Sequence, residues 1–597
     1  MHHSLTLCAA LCLWSSGTLA RFLGPLNPPP VDIASDASLV RSQWEKLTST
    51  LQAHFTGEQQ NEALLGLNNI TFSLGLFSAY DDKICIPNPQ YHHTGPDARN
   101  STLGVNQVNG DSIYRVASMS KIITVYSGLL LLDPSDWHKP LTEIFPEISS
   151  LPANDPIHHV QWDTITPFSL SSQISGLPRD AGPFFVAELG YNYYLGSHPI
   201  DPTTYGLPPL TLNSTGVNIP CQTANCSGVE YIQGIQSPTF PVFQTPGYAD
   251  TNFILLGRVI SKLTGLPLNE QWFQKAVFTP LNMTRTSSLT PTKKPYEGYV
   301  VLGDLAGFAA QGEITSSSGG VFSTTNDIAK LGISILNSAL LSPDQTRKWM
   351  KPTTFTAGME FAHGMGWEIY RYTDKKTGHV TDLYTKLGDS GNYASYLVLV
   401  PDYGFGFSIL SGSGIADQSQ RSAAVHLLAD LISESILPAL RDQAAVETKR
   451  NYEGVYTGHG ANGTTSTLSL KFNDTEGAGF GLTLTGLVND GHDMLHYFRT
   501  VLSGEQLLGD EQLVLAPSTI DEKKKQRGFV VTPVVADLDY TGLFSKQFAT
   551  NYEWLSNNGV TYGGQAFGNF YIDVDDNGRA VAVSPAVLRG KKFVRHG

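Results

Sequence analysis

A lysine three residues after a serine, at the head of a largely apolar stretch, restricts what residues 118 to 132 can become. Ser118-Met119-Ser120-Lys121 leads into Ile122 to Leu132, and that pattern predicts a helix beginning at Ser118. On such a helix positions i and i+3 share a face, so the hydroxyl and the amine come within hydrogen-bonding reach. A serine hydroxyl attacks poorly until a neighbour takes its proton, and a base beside it is the minimum machinery for covalent acyl transfer. The helix N-terminus adds backbone N–H dipoles that favour an oxyanion.

Two more constellations extend this reading. Pro246-Gly247 marks a turn before Tyr248-Ala249-Asp250-Thr251-Asn252, and the apolar run from Phe253 reads as a helix start. Tyr248 then lies on a loop entering a helix, where a phenol can act as general base or proton relay. Lys386-Leu387-Gly388 precedes Asp389-Ser390-Gly391-Asn392-Tyr393-Ala394-Ser395 and the strand-like Tyr396 to Val400. On a strand edge the glycine admits a ligand to the main chain and the lysine holds an anionic or polar group. Taken singly, the tyrosine could equally pack beneath a loop and the lysine could be solvated.

In this order the three motifs resemble the Ser-x-x-Lys, Tyr-x-Asn and Lys-Thr-Gly signature of the serine β-lactamase and penicillin-binding-protein superfamily. The likeness is to its class C β-lactamase and esterase type, in a secreted eukaryotic, fungal protein. Ile165 to Arg179, with Ser175-Gly176-Leu177-Pro178, is similar to the family segment before the second motif; Ser318-Gly319-Gly320-Val321-Phe322-Ser323-Thr324-Thr325-Asn326-Asp327 is similar to the one before the third. Pro401-Asp402-Tyr403-Gly404-Phe405-Gly406 resembles the hairpin beyond it. The resemblance covers roughly residues 40 to 440 and implies Ser118 as nucleophile, Lys121 as proton acceptor, Tyr248 as base or shuttle, and Lys386 as the orienting cation. It also implies an oxyanion and substrate site at Asp250, Gly388 and Asp389, with the backbone N–H groups of Ser118 and Asp389 as donors. Asp250 stands where the family has Asn, an anion that raises the proton affinity of Lys121 and Tyr248. Leu387 stands where it has Thr and removes one hydrogen bond to a substrate carboxylate, which favours esters or amides over β-lactams. Gly190-Tyr191-Asn192-Tyr193-Tyr194-Leu195-Gly196 belongs to a long insertion expected to overhang the cleft.

Other chemistries lack their parts. Gly388-Asp389-Ser390-Gly391 mimics a protease nucleophile motif without its usual extension, and no Gly-x-Ser-x-Gly elbow or His-Glu-x-x-His is present. The pairs His92-His93 and His158-His159 diverge on either regular element, so no metal and no cofactor is expected. A net charge of −14 argues against a nucleic-acid partner, and the cluster Lys523-Lys524-Lys525-Gln526-Arg527 reads as a solvated hairpin tip. The partner expected is a small-molecule or peptide substrate, with no membrane. Oligomeric state is left open.

Leu5 to Trp14 followed by Ser15-Ser16-Gly17-Thr18-Leu19-Ala20 reads as a secretory signal peptide, residues 1–20. Seven sequons, at Asn69, Asn100, Asn213, Asn225, Asn282, Asn462 and Asn473, fit glycosylation on an extracellular route. Cys8 and Cys12 leave with the leader, Cys221 and Cys226 bracket a short loop suited to a disulfide, and Cys85 remains.

The expected organisation is a catalytic domain over 21–445 and a second domain over 446–597. The first is α/β (α+β), an antiparallel sheet flanked by helices; Ser422 to Ile436 carries an apolar stripe for packing on it. A charged connection, Glu447-Thr448-Lys449-Arg450, follows. Beyond it Thr467–Phe472, Gly481–Leu487, Gln512–Ala516, Phe529–Val535 and Gly568–Val574 read as short antiparallel strands of an all-β barrel or sandwich. Family members with such an extension carry a lipocalin-like barrel there. Two other readings accompany the serine hydrolase: a catalytically weak or inactive ligand-binding pseudoenzyme of the same fold, and a binding module led by the β domain.

Overall fold

The computed structural model describes residues 24–80, 89–179, 200–209, 237–303, 315–460, 463–477, 479–503, 512–534 and 559–596, with single positions 305, 308 and 544. The leader, the aromatic insertion, Cys85, Cys221, Cys226, Asn213, Asn225 and Asn462 lie outside the described residues. Two compact units divide the chain: Pro30–Tyr372 with Asp382–Leu440, and Met1–Pro29 with Thr373–Thr381 and Arg441–Gly597.

The first unit is organised by strands that have no polar face. Its elements are β1 (Thr71–Ser78), β2 (Gln90–His93), the short pair β3 (Tyr114–Arg115) and β4 (Phe322–Ser323), then β5 (Thr354–Phe355), β6 (Phe361–His363), β7 (Glu368–Thr373), β8 (Val380–Ser390), β9 (Tyr393–Val400) and β10 (Phe405–Gly412). All but β3 and β4 join one eight-stranded sheet in the order β2-β1-β10-β9-β8-β7-β6-β5. β1, β9 and β10 are buried at every residue, as strands covered on both faces must be. Alternation then assigns each side chain: Leu397 and Leu399 enter one core, Tyr396, Val398 and Val400 the other. The first core is closed by helices Ser120–Leu131, Asp250–Thr264 and Thr325–Leu336, the second by Leu39–Thr56 and the long helix Gln418–Tyr452.

That long helix corrects one expectation. Glu447-Thr448-Lys449-Arg450 is not a connection but helix, which continues to Tyr452 through Pro438. Its charges are accommodated: buried Glu447 accepts from Gln443 Nε2 at 2.8 Å, and Lys449 and Arg450 are exposed.

The second unit is a closed barrel. β11 (Gly454–His459), β12 (Thr465–Asn473), β13 (Gly481–Asn489), β14 (His492–Asp493), β15 (Gln512–Asp521), β16 (Gln526–Val534), β19 (Asn569–Val574), β20 (Ala580–Pro585) and β21 (Phe593–Arg595) pair in the order β12-β11-β21-β20-β19-β16-β15-β13-β14, a separate hairpin being formed by β17 (Thr561–Tyr562) and β18 (Gln565–Ala566). Pairing of β12 with β13 closes the ring and leaves β14 outside it. Tyr456, Leu468, Leu482, Leu515, Phe570 and Phe593 fill its core.

Phe77 is a packing centre of the first unit. A Cβ built on Gly332 or Gly406 would meet its ring at 2.3 and 2.4 Å, so both glycines exist to admit it. Phe77→Ala is expected to cost about 3–5 kcal/mol in denaturant unfolding of this unit. A loss below about 1 kcal/mol would show that the site collapses around the missing ring.

Candidate active site

The serine is presented by a strained turn. After β3 the chain passes through Ala117 at φ 46°, a left-handed value costly for a residue with a Cβ, into a single 3₁₀ turn, Ala117–Met119. The α-helix itself starts at Ser120, two residues later than expected. Ser120 stabilises the turn, its Oγ donating to Ala117 O at 2.6 Å and accepting from Val321 N at 3.1 Å. Ser118 is half-buried, whereas Lys121 on the same face is drawn wholly into the core beside Ile122, Val125 and Met119.

Around them the distant motifs converge. Lys121 Nζ lies 3.1 Å from Ser118 Oγ, 2.5 Å from Asp250 Oδ1, and 2.9 and 3.0 Å from Ser318 O and Oγ. Tyr248 OH donates to Ser118 Oγ at 2.6 Å. Lys386 Nζ pairs with Glu368 Oε1 at 2.5 Å and sits 5.2 Å from the Tyr248 ring centre. Gly388 approaches Ser118 so closely that a Cβ there would lie 3.1 Å from Ser118 N and 2.3 Å from Val116 O. Ser118, Lys121, Tyr248, Asp250, Lys386 and Gly388 thus share one site.

Asp389 needs a distinction. Along β8 it has the parity of Leu387, which packs in the second core, so its side chain leaves the Ser118 face. Its carboxyl is raised above the usual range by burial, with Arg421 opposing. Its N–H, by the same parity, points to the side on which Leu387 N donates to Glu368 Oε2 at 2.9 Å. Only the backbone of Asp389 can serve the cleft. Leu387, turned away, offers the cleft no hydroxyl.

Electrostatics divide the two candidate bases. Burial pulls Lys121 below its ordinary value, and Asp250 and Glu368 only partly restore it, so the net direction is opposite to that expected from Asp250 alone. Tyr248 is pushed well above 10, chiefly by burial, with Lys386 opposing. Burial also pushes Asp250 up, but Lys121 and Ser318 outweigh it and hold the carboxylate ionised. Asp250 is the first residue of its helix, and the cap residue Ala249 carries no side-chain bond, so the carboxylate serves Lys121 and not a cap.

Ser318 and Glu368 are site residues that the sequence reading missed. Ser318 was visible only as a landmark; that its hydroxyl also donates to Asp250 Oδ1 depends on packing. Glu368 meets Lys386 through the adjacent strand β7, and no local spacing signals it. The histidines form no centre: His92 bonds Ser73 and Gln90, and His93 stacks on Phe55. Among the described residues no cluster of three or more His, Cys, Asp or Glu is placed to hold a metal. Of the sequons, Asn69, Asn100 and Asn282 are exposed. Asn473 Nδ2 donates to Gly479 O and to Gln512 Oε1, both at 2.9 Å, and a glycan would leave it one hydrogen for two partners.

Asp250→Asn removes the anion that favours ammonium on Lys121, so its proton affinity falls further. The alkaline-going limb of the kcat/KM profile is expected to move to lower pH. An unmoved limb in a folded variant would mean that Lys121 does not titrate in catalysis.

Residues 91–430 match the family model described as Beta-lactamase, and residues 444–592 the model described as Beta-lactamase-like-like, C-terminal domain. The chain is 27% identical over 501 residues to a "Beta-lactamase-like protein" of Arthroderma benhamiae, covering 80% of this chain and 77% of that one. It is 24% identical to a "Probable hydrolase" of Phoma sp., covering 87% and 81%, and 23% identical to a "Probable hydrolase" of Cochliobolus lunatus, covering 98% and 93%. Among solved structures, a β-lactamase/D-alanine carboxypeptidase of Yersinia pestis aligns with 64% of this chain and 99% of its own at TM-score 0.42 and 17% identity. A D-alanine carboxypeptidase of Burkholderia cenocepacia gives 65% and 98% at TM-score 0.41 and 14% identity.

Proposed function

The chain belongs to the β-lactamase family, whose model spans more than half of it, and from that premise we propose that it is a secreted serine hydrolase working through a Ser118 acyl-enzyme. The observation that carries the reading is the hydrogen-bonded chain from Tyr248 OH to Ser118 Oγ to Lys121 Nζ. Lys121, shifted down by burial, is the better proton acceptor; Tyr248, shifted up, keeps its proton and is the better donor.

Ser118 Oγ passes its proton to Lys121 and attacks the substrate carbonyl carbon. The carbonyl oxygen becomes the oxyanion and is received by the N–H groups of Ser118 and Asp389. Each such donor contributes about 3 kcal/mol. The leaving alkoxide or amine takes a proton from Tyr248; when water then attacks the acyl-enzyme, the tyrosinate takes the water's proton and the Lys121 ammonium returns its proton to the departing Ser118 Oγ. Lys386, fixed by Glu368, faces the phenol and favours the transient tyrosinate.

Substrate choice follows from what the cleft lacks. With Leu387 in the opposite core, no hydroxyl at that position meets a β-lactam carboxylate. An ester, amide or peptide is the better substrate class. Exposed Asn69, Asn100 and Asn282 support the secretory route.

Ser118→Ala is expected to lower ester kcat/KM by about a thousandfold or more and to abolish fluorophosphonate labelling. Small esters should exceed nitrocefin in kcat/KM for the unmodified chain. Labelling that persists in Ser118→Ala would remove the nucleophile from the scheme, and faster nitrocefin turnover would reverse the substrate assignment.

A further inference from the structure

Gln173 takes no part in the acyl transfer described above, yet its backbone stands at φ 61°, a region that residues with a Cβ enter at a cost. Strain of this kind persists only where the surroundings over-determine it. Gln173 follows the helical turn Pro167–Ser171 and is 6% exposed. From there it accepts three hydrogen bonds, all from the segment that carries Tyr248. The N–H of Gly247, on one side of the tyrosine, donates to its carbonyl at 2.8 Å. The N–H of Ala249, on the other side, donates to its Oε1 at 3.0 Å. Asn252 Nδ2 donates to the same Oε1 at 2.6 Å, and Asn252 Oδ1 accepts from Ser175 Oγ at 2.6 Å, which fixes the orientation of that amide. Pairing continues along the loop through Phe243 N to Ile174 O and Thr239 N to Gly176 O, both 2.8 Å.

The direction of the carbonyl and of the side chain from residue 173 is set by its φ and ψ. The left-handed conformation lets one residue reach the backbone before and after Tyr248 at once. The phenol between those bonds lies 2.6 Å from Ser118 Oγ, a contact with little tolerance, since a displacement of about 1 Å in a reacting geometry costs roughly a hundredfold in rate.

We propose that Gln173 is a positioning residue: it clamps the main chain on both sides of Tyr248 and so holds the phenol on the Ser118 hydroxyl. The assignment rests on the acyl-transfer role given to that phenol. It explains why a buried amide occupies a strained position.

The test uses the full chain and a p-nitrophenyl ester, with fluorophosphonate labelling rate as a second readout. Gln173→Leu removes the acceptor; Gln173→Glu keeps an oxygen in its place. Gln173→Leu is expected to lower kcat and the labelling rate about tenfold or more with KM within about twofold, while Gln173→Glu stays within about threefold of the parent. In a Tyr248→Phe background Gln173→Leu should add no further loss, because the group it positions is gone. Equal losses in the Leu and Glu variants, the same factor lost with and without the phenol hydroxyl, or full activity in Gln173→Leu would each overturn the clamp. Should Gln173→Leu fail to fold, Gln173→Gly, which relieves φ while removing the acceptor, carries the same expectations. Ser118→Ala is run alongside: activity surviving there overturns the acyl-transfer reading itself, whereas an inert Ser118→Ala leaves the other outcomes bearing on Gln173 alone.

Discussion

A lysine amine with no exposed surface, 2.5 Å from a carboxylate and 3.1 Å from a serine hydroxyl, is the interaction on which the site depends. Burying an ammonium is costly unless it is paired and hydrogen-bonded. Helix Ser120–Leu131 drags Lys121 inside because its apolar neighbours must be covered, and the fold answers with Asp250 from a second helix and Ser318 from a third segment. The balance between desolvation and this pairing sets the amine's basicity. A neutral residue in place of Asp250 would tilt it toward free amine; a more polar surrounding would tilt it toward ammonium. The same three elements that build the core therefore also tune the amine.

The remaining half of the site is held from the sheet. β8 brings Lys386 to Tyr248 and lets Gly388 come within van der Waals distance of the Ser118 backbone, which no residue with a Cβ could do without displacing Val116. Glu368 ties Lys386 and the N–H of Leu387 together, joining β7 to β8. Burial separates the roles of the two titratable partners of Ser118, lowering one proton affinity and raising the other. Divergent shifts in adjacent groups are how one site supplies both acid and base.

Strand alternation made much of the second unit legible. β12, β13, β15, β16 and β19 fall within a few residues of their expected spans, because polar and apolar residues alternate there between a filled core and solvent. β11, β20 and β21 were not foreseen: β11 carries two glycines and two polar residues in six, β20 runs Ala-Val-Ala-Val with no polar residue alternating until Ser584, and β21 is three residues long, so none offers a clear period of two. Closure of the ring was expected from the family resemblance and could not be read from the alternation itself. A barrel and a sandwich share the same alternation, and only the β12–β13 pairing, which leaves the ring no open edge, decides between them.

What the sequence determined by itself was local: that Ser118 and Lys121 share a helical face, that Tyr248 enters a helix beside Asp250, and that Lys386 and Gly388 share a strand face. Each follows from a period of 3.6 or 2 over a few residues. The tertiary structure alone decided which of those faces meet. Tyr248 is 130 residues from Ser118, Ser318 is 197 from Lys121, and Glu368 is a strand away from Lys386. It also decided the sign of the Lys121 shift, because burial depends on everything packed around the amine, whereas the sequence shows only that an anion stands near it.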